Sequence, residues 1–302
     1  MRLQHQRRFR RSLDGGFLWD EVQIRMLERM QWVKQRPVDI LVLGDANLRD
    51  ANSLGQAYPQ SSLTVLDWSW SPAPGDSAQA PLKPAAGTFK PLAWARNAWL
   101  RLLETPAQDA HTVALAATGA LRIAADVHQM PLHNARFDLL WSNGLLHWSD
   151  RWPELLAELH RCAKPQALFS FSLLGVDSFA GLRKLAPDLM AFPDMHDLGD
   201  ALVRSGWAEP VVDMDRMVLS WRNARDLIAD LRALGGHLHP NRAKGLRSRV
   251  WLAKLEAALE VLRQADGLYR LEIELIFGHA WRSPDRPKAE AWQPIELRPK
   301  SA

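Results

Sequence analysis

Four polar positions in this chain stand where short, largely apolar segments stop. Ile40-Leu41-Val42-Leu43 runs into Gly44 and Asp45, and Leu63-Thr64-Val65-Leu66 runs into Asp67. Leu121–Ala125 stops at Asp126, and Phe137–Ser142 stops at Asn143. Apolar runs of this length, closed by a turn residue or a carboxylate, read as buried strands. In an open parallel sheet, ligands bind beyond the carboxyl ends of such strands, which is where these side chains would stand. A carboxylate at the end of the second strand suits a vicinal diol, whose two hydroxyls it can accept together. Asp126 is placed to meet the amino edge of a purine. Each Asp alone fits a turn equally well; the argument rests on the coincidence at successive strand ends.

The elements that must position these groups alternate. Residues 19–34 set Val22, Met26, Leu27, Met30 and Val33 on one helical face, leading into the first strand. Leu92–Glu104 and Pro153–Cys162 carry helical spacing, and Ala167–Leu174 is an apolar strand after Lys164-Pro165. Strands and helices alternating at these lengths predict a doubly wound α/β fold with a parallel sheet. Residues 71–92, rich in Pro, Ala, Gly and Ser, read as a flexible insertion. The last third predicts a helix over His196–Ser205 ended by Gly206, extended segments at Val211–Asp213 and Met217–Trp221, helices at Arg225–Leu234 and Val250–Arg263, and a strand at Leu271–Phe277.

The 302 residues suffice for a sizeable core, and 47% hydrophobic with 24% charged residues is ordinary globular composition. No apolar run approaches the roughly 20 residues that span a bilayer. The net charge of +4 is local, since residues 1–12 hold five arginines and no acid, leaving −1 for the rest. The excess therefore marks a basic arm over residues 1–18 and argues against a nucleic-acid-binding body. The single cysteine, Cys162, excludes an internal disulfide, reads as a small core residue and fits a reducing, cytoplasmic setting. His237, His239, His196 and Asp197 lack the spacing of a two-histidine, one-carboxylate metal site, so no metal is expected.

From about Phe9 to Trp281 the chain resembles class I S-adenosylmethionine-dependent methyltransferases, and most of all the biotin-pathway malonyl-acyl-carrier-protein O-methyltransferases. The marks are Asp194-Met195-His196-Asp197-Leu198-Gly199-Asp200-Ala201-Leu202 and Gly278-His279-Ala280-Trp281, joined by Asp126 with Met130-Pro131-Leu132. Phe137-Asp138-Leu139-Leu140-Trp141-Ser142-Asn143 with Leu146-His147-Trp148 is similar to the middle motifs. The resemblance implies one domain over 19–281, a seven-stranded Rossmann-like sheet, a helical insertion over 222–268, and a loose tail over 282–302. It implies S-adenosyl-L-methionine as cofactor, contacted by Gly44, Asp45, Asp67, Trp68, Asp126, Val127, Asn143, Leu145 and Trp148. An acidic acyl carrier protein would be the partner. His147 and the basic run Arg242, Lys244, Arg247 and Arg249 are the candidates for the acceptor side, with no membrane or nucleic acid involved.

The first motif departs from the family's pattern of an acidic residue, Leu, then Gly, a small residue, Gly, Thr, Gly. Here Val42, Leu43, Gly44, Asp45, Ala46, Asn47 and Leu48 occupy it, with one glycine of three. Val42 stands in place of a carboxylate that helps hold the methionyl amino group, and Asp45 or Asp50 could replace it. Leu48 would suit the left-handed backbone required there poorly. This departure leaves two alternatives beside methyl transfer: a non-catalytic assembly factor that keeps the fold, or a protein hydroxylase like certain relatives of the subfamily.

Overall fold

A computed structural model of the chain describes residues 16–45, 47–67, 112–115, 119–185, 192–234 and 248–284. Its centre is β1 (Asp39–Leu43), in which Ile40, Leu41, Val42 and Leu43 are wholly buried. Alternation along the strand sends Leu41 and Leu43 into one apolar layer and Ile40 and Val42 into the other. Burying such side chains contributes about 1.5–3 kcal/mol each, which fixes the register of the strand.

The other strands are β2 (Ser62–Leu66), β3 (Thr112–Leu115), β4 (Leu121–Ala124), β5 (Phe137–Asn143), β6 (Ala163–Leu174), β7 (Trp207–Trp221) and β8 (Tyr269–Arg282). They form one eight-stranded sheet in the order β3-β4-β2-β1-β5-β6-β8-β7. β4, β2, β1, β5 and β6 run parallel, while β3, β8 and β7 add antiparallel pairs. The strand order turns back between β1 and β5, the position where doubly wound sheets open a crevice. The expected seven strands are therefore present, with β3 as one more on the far edge.

Helix α1 (Gly16–Met30) covers one face, burying Leu18, Trp19, Val22, Met26 and Met30 against Val42, Leu139 and Trp141. On the same face lies α2 (Arg49–Ala57) with Ala51 and Leu54. The opposite face is packed by α3 (Trp152–Cys162), which buries Leu155, Leu156, Leu159 and Cys162, and by α5 (Met195–Arg204) with Leu198 and Leu202. A short α4 (Ala180–Leu185) follows β6, and α6 (Ala224–Ala233) and α7 (Arg249–Leu259) lie between β7 and β8 in the chain. Among the described residues no helix is long and apolar enough to cross a membrane.

Two readings of the final third are corrected. Val211–Asp213 and Met217–Trp221 belong to one fifteen-residue strand, β7. Its outward edge needs no apolar residues, and a register irregularity between Ala208 and Val211 accommodates Pro210. The strand at Leu271–Phe277 runs on through Gly278-His279-Ala280-Trp281 to Arg282, paired to both β6 and β7. The helix expected at Leu92–Glu104, the insertion at 71–92 and the basic arm lie outside the described residues, save that α1 begins at Gly16.

The amino ends of the parallel strands are tied by charge. Asp39 accepts from Arg136 at 2.7 Å and from Lys164 at 2.9 Å. Asp138 accepts from Lys164 at 3.0 Å and from the backbone amide of Asp39 at 2.9 Å. Burial pulls the Lys164 ammonium down, but these two carboxylates hold it above its ordinary value. The cluster sits opposite the end of the sheet where the candidate site lies.

Candidate functional site

At the carboxyl ends of β1 and β2, Gly44 leaves the sheet with φ +74°, and its amide donates to the carbonyl of Leu66 at 2.9 Å. Asp45 then turns back under α2. Its two oxygens accept the amides of Arg49 at 2.7 Å and Ala51 at 2.8 Å, satisfying donors that a helix amino terminus leaves open. Leu48, the residue before α2, takes φ 58° and ψ 25°. A left-handed leucine costs on the order of 1–2 kcal/mol, so the strain expected from the missing glycine is present. Leu48 packs, half-buried, with the apolar layer under α1.

Asp67 follows β2 and is buried at 1% exposure; its amide donates to the carbonyl of Ile123 at 3.0 Å. Asp50 in the first turn of α2 is also buried. Its Oδ1 accepts Nε2 of Gln23 at 2.7 Å and Nδ2 of Asn143 at 3.1 Å. Asn143, at the end of β5, also donates to the carbonyl of Trp19 and accepts the hydroxyl of Ser172 at 2.9 Å. Gly144 follows at φ +70°, where a Cβ would lie 2.5 Å from the ring of Trp19. Three buried carboxylates thus share the edge formed by β1 and β2. Burial pushes Asp45 and Asp50 well above the ordinary carboxylate range; Asp67 adds repulsion on Asp45, and Asp45 adds it on Asp50.

After β4, Asp126 forms a tight turn with His128, accepting its backbone amide at 2.9 Å and facing its Nδ1 at 2.7 Å. Nε2 of His128 meets the hydroxyl of Ser149 at 2.7 Å, and Arg151 lies 3.7 Å from Asp126. Asp126 is thereby held in one orientation, with part of its side chain exposed. His147, in the short 3-10 turn Leu146–Trp148, stacks on Trp19 with ring centres 5.8 Å apart and meets Phe192 edge-on at 5.8 Å. Its buried Nδ1 has no hydrogen-bond partner among the described residues. Burial takes its pKa down to about 3, so the ring is neutral at physiological pH.

The structure thus brings Gly44, Asp45, Asp67, Asp126, Asn143 and His147 to one end of the sheet. It differs from the reading of the sequence at three positions. The side chains of Val127, Leu145 and Trp148 are buried in the core layer under α3. Their apolar character is accounted for by packing. Arg249 opens α7 and is exposed; Trp68, Arg242, Lys244 and Arg247 lie outside the described residues. The residues that sequence reasoning passed over are Gln23, His128, Ser149 and Trp19. Gln23 left one signal, a polar residue within the otherwise apolar buried positions of α1.

The donor set fits a nucleoside that carries positive charge. Asp67 suits a diol and the fixed Asp126 an exocyclic amine, while a cation would relieve the repulsion among the carboxylates. S-adenosylmethionine has all three features.

Comparison with known proteins agrees with this geometry. Residues 91–171 match the family model described as "Methyltransferase domain". Over 281 residues the chain is 34% identical to the malonyl-[acyl-carrier protein] O-methyltransferase of Laribacter hongkongensis, covering 91% of this chain and 86% of that one. The protein of the same name from Gallionella capsiferriformans is 31% identical over 289 residues, 92% and 90% of the two chains. That from Methylovorus is 31% identical over 311 residues, 98% and 95% of the two chains. Likeness of this extent, together with the sheet order and the polar strand ends, makes the chain an S-adenosylmethionine-dependent methyltransferase that belongs to the malonyl-[acyl-carrier protein] O-methyltransferase family.

Proposed function

We propose that this enzyme methylates the free carboxylate of a malonyl thioester carried by an acyl carrier protein, a step of biotin precursor synthesis. The observation that carries the acceptor's identity is the near full-length likeness to relatives of that name.

When bound, S-adenosylmethionine supplies a methyl group on a positively charged sulfur. Asp67 would hold the ribose, Asp126 the adenine edge, and the loop from Gly44 to Leu48 would border the amino-acid half. A malonyl carboxylate is already ionised at neutral pH, so the acceptor needs no general base. The site agrees with that requirement. His147 is neutral, walled by Trp19 and Phe192, and is suited to excluding water and to contacting an uncharged part of the acceptor. Positioning and desolvation then supply the rate. Arg242, Lys244, Arg247 and Arg249 would receive the acidic carrier, steering its approach by charge.

Incubation with S-adenosylmethionine labelled in the methyl group separates the outcomes. Malonyl-acyl carrier protein should acquire base-labile label, and acetyl-acyl carrier protein, which lacks the free carboxylate, should not. Equal labelling of both, or of neither, would refute the assignment.

A further inference from the structure

The first motif lacks a carboxylate on β1, and the structure points to where one has moved. Val42 is wholly buried and is the Cα partner of Trp141 on β5. Its side chain faces the layer beneath α1. On that same face, one strand step beyond Trp141, stands Asn143, whose amide holds the carboxylate of Asp50. Gln23 of α1 holds the same oxygen from the other side, and is itself fixed by the hydroxyl of Ser53 at 3.0 Å. Asp45, by contrast, spends one bond of each oxygen on the amides of Arg49 and Ala51, capping α2.

Asp50 has the environment of a ligand group. It is 5% exposed, the groups that donate to it, the amides of Gln23 and Asn143 and the indole of Trp141, are all neutral, and its acidic neighbour is Asp45. Among the described residues no lysine or arginine forms an ion pair with it. A buried carboxylate without a cation is costly, and such groups are enriched at sites where a ligand supplies the opposite charge. Of the two cationic groups on S-adenosylmethionine, only the α-ammonium can donate hydrogen bonds.

We propose that Asp50, oriented by Gln23 and Asn143, anchors the α-ammonium group of the cofactor in place of a carboxylate at position 42. This rests on the cofactor reading given above. It makes the glycine-poor loop a rearranged site whose acidic anchor has moved from the strand to the first turn of α2.

Calorimetric titration of the full chain with two ligands tests it. S-adenosylhomocysteine carries the α-ammonium, whereas 5′-methylthioadenosine keeps the nucleoside and lacks the amino-acid half. Asp50→Asn should weaken S-adenosylhomocysteine roughly ten- to hundred-fold, the effect of losing a charge-assisted bond, and leave 5′-methylthioadenosine within about two-fold. Asp50→Ser, smaller and also neutral, should give the same contrast if the amide variant does not fold. Unchanged binding of S-adenosylhomocysteine, or equal weakening of both ligands, would overturn the assignment. Wild-type protein that binds neither ligand would refute the cofactor reading itself.

Discussion

Replacing Asp67 by Asn should have opposite effects on ligand affinity and on the unliganded fold. The backbone N–H of Asp67 donates a hydrogen bond to the carbonyl of Ile123, which the substitution leaves in place. Asn preserves volume and removes charge. A charge-assisted hydrogen bond contributes about 1.5–3 kcal/mol, and about 1.4 kcal/mol is a factor of ten, so the dissociation constant for S-adenosylmethionine should rise roughly 10- to 150-fold. The unliganded protein, by contrast, loses a repulsion: Asp67 is among the charges that raise the pKa of Asp45. At pH 8, where that repulsion is strongest, the variant should melt no lower than the wild type. Titration calorimetry and thermal unfolding on the same preparations read both effects. An unchanged dissociation constant would refute the role in binding. Loss of affinity with a melting temperature lowered by many degrees would show Asp67 to be a structural residue instead.

Three further outcomes are expected. Gly144→Ala should destabilise the fold by roughly 2–3 kcal/mol, since it combines a left-handed backbone with a methyl pressed against Trp19; near-wild-type melting would contradict the geometry. Asp50→Asn should raise the melting temperature of the unliganded protein more at pH 8 than at pH 5. A buried carboxyl raised above its unfolded value favours the fold while protonated and loses that contribution as pH rises towards its folded pKa. Equal shifts at both pH values would disprove that burial. Asp39→Ala, at the opposite end of the sheet, should cost about 2–4 kcal/mol by leaving Arg136 and Lys164 without their shared carboxylate. Its dissociation constant for S-adenosylmethionine should not change, and a changed one would mean the two ends are coupled.

The central strand β1 was legible because it is buried on both faces and so carries an unbroken apolar run, and its parallel neighbours because they are largely apolar. β1, β2, β4 and β5 differ from expectation only at their ends. The edge strands were less visible. β3 is four residues long and pairs on one side alone, and β7 has no buried residue through the polar stretch Asp213-Met214-Asp215-Arg216. At the site, strand-end carboxylates announce themselves, since nothing in a buried run explains them. The sequence left Asp50 level with Asp45 as a replacement for the missing carboxylate, because an acid in the first turn of a helix is ordinary and helpful there. Only the structure sets it against Asn143 and Gln23, which lie 93 and 27 residues away in sequence. Trp148 became a candidate through the family resemblance, and its ring packs into the core.

Methyl transfer by this chain requires that a loop with one glycine and a strained Leu48 still accept a sulfonium nucleoside. Titration of the wild-type chain with S-adenosylmethionine tests this directly. One saturable site per chain with a sub-millimolar dissociation constant is expected. The absence of any binding heat or thermal stabilisation at millimolar ligand would contradict it.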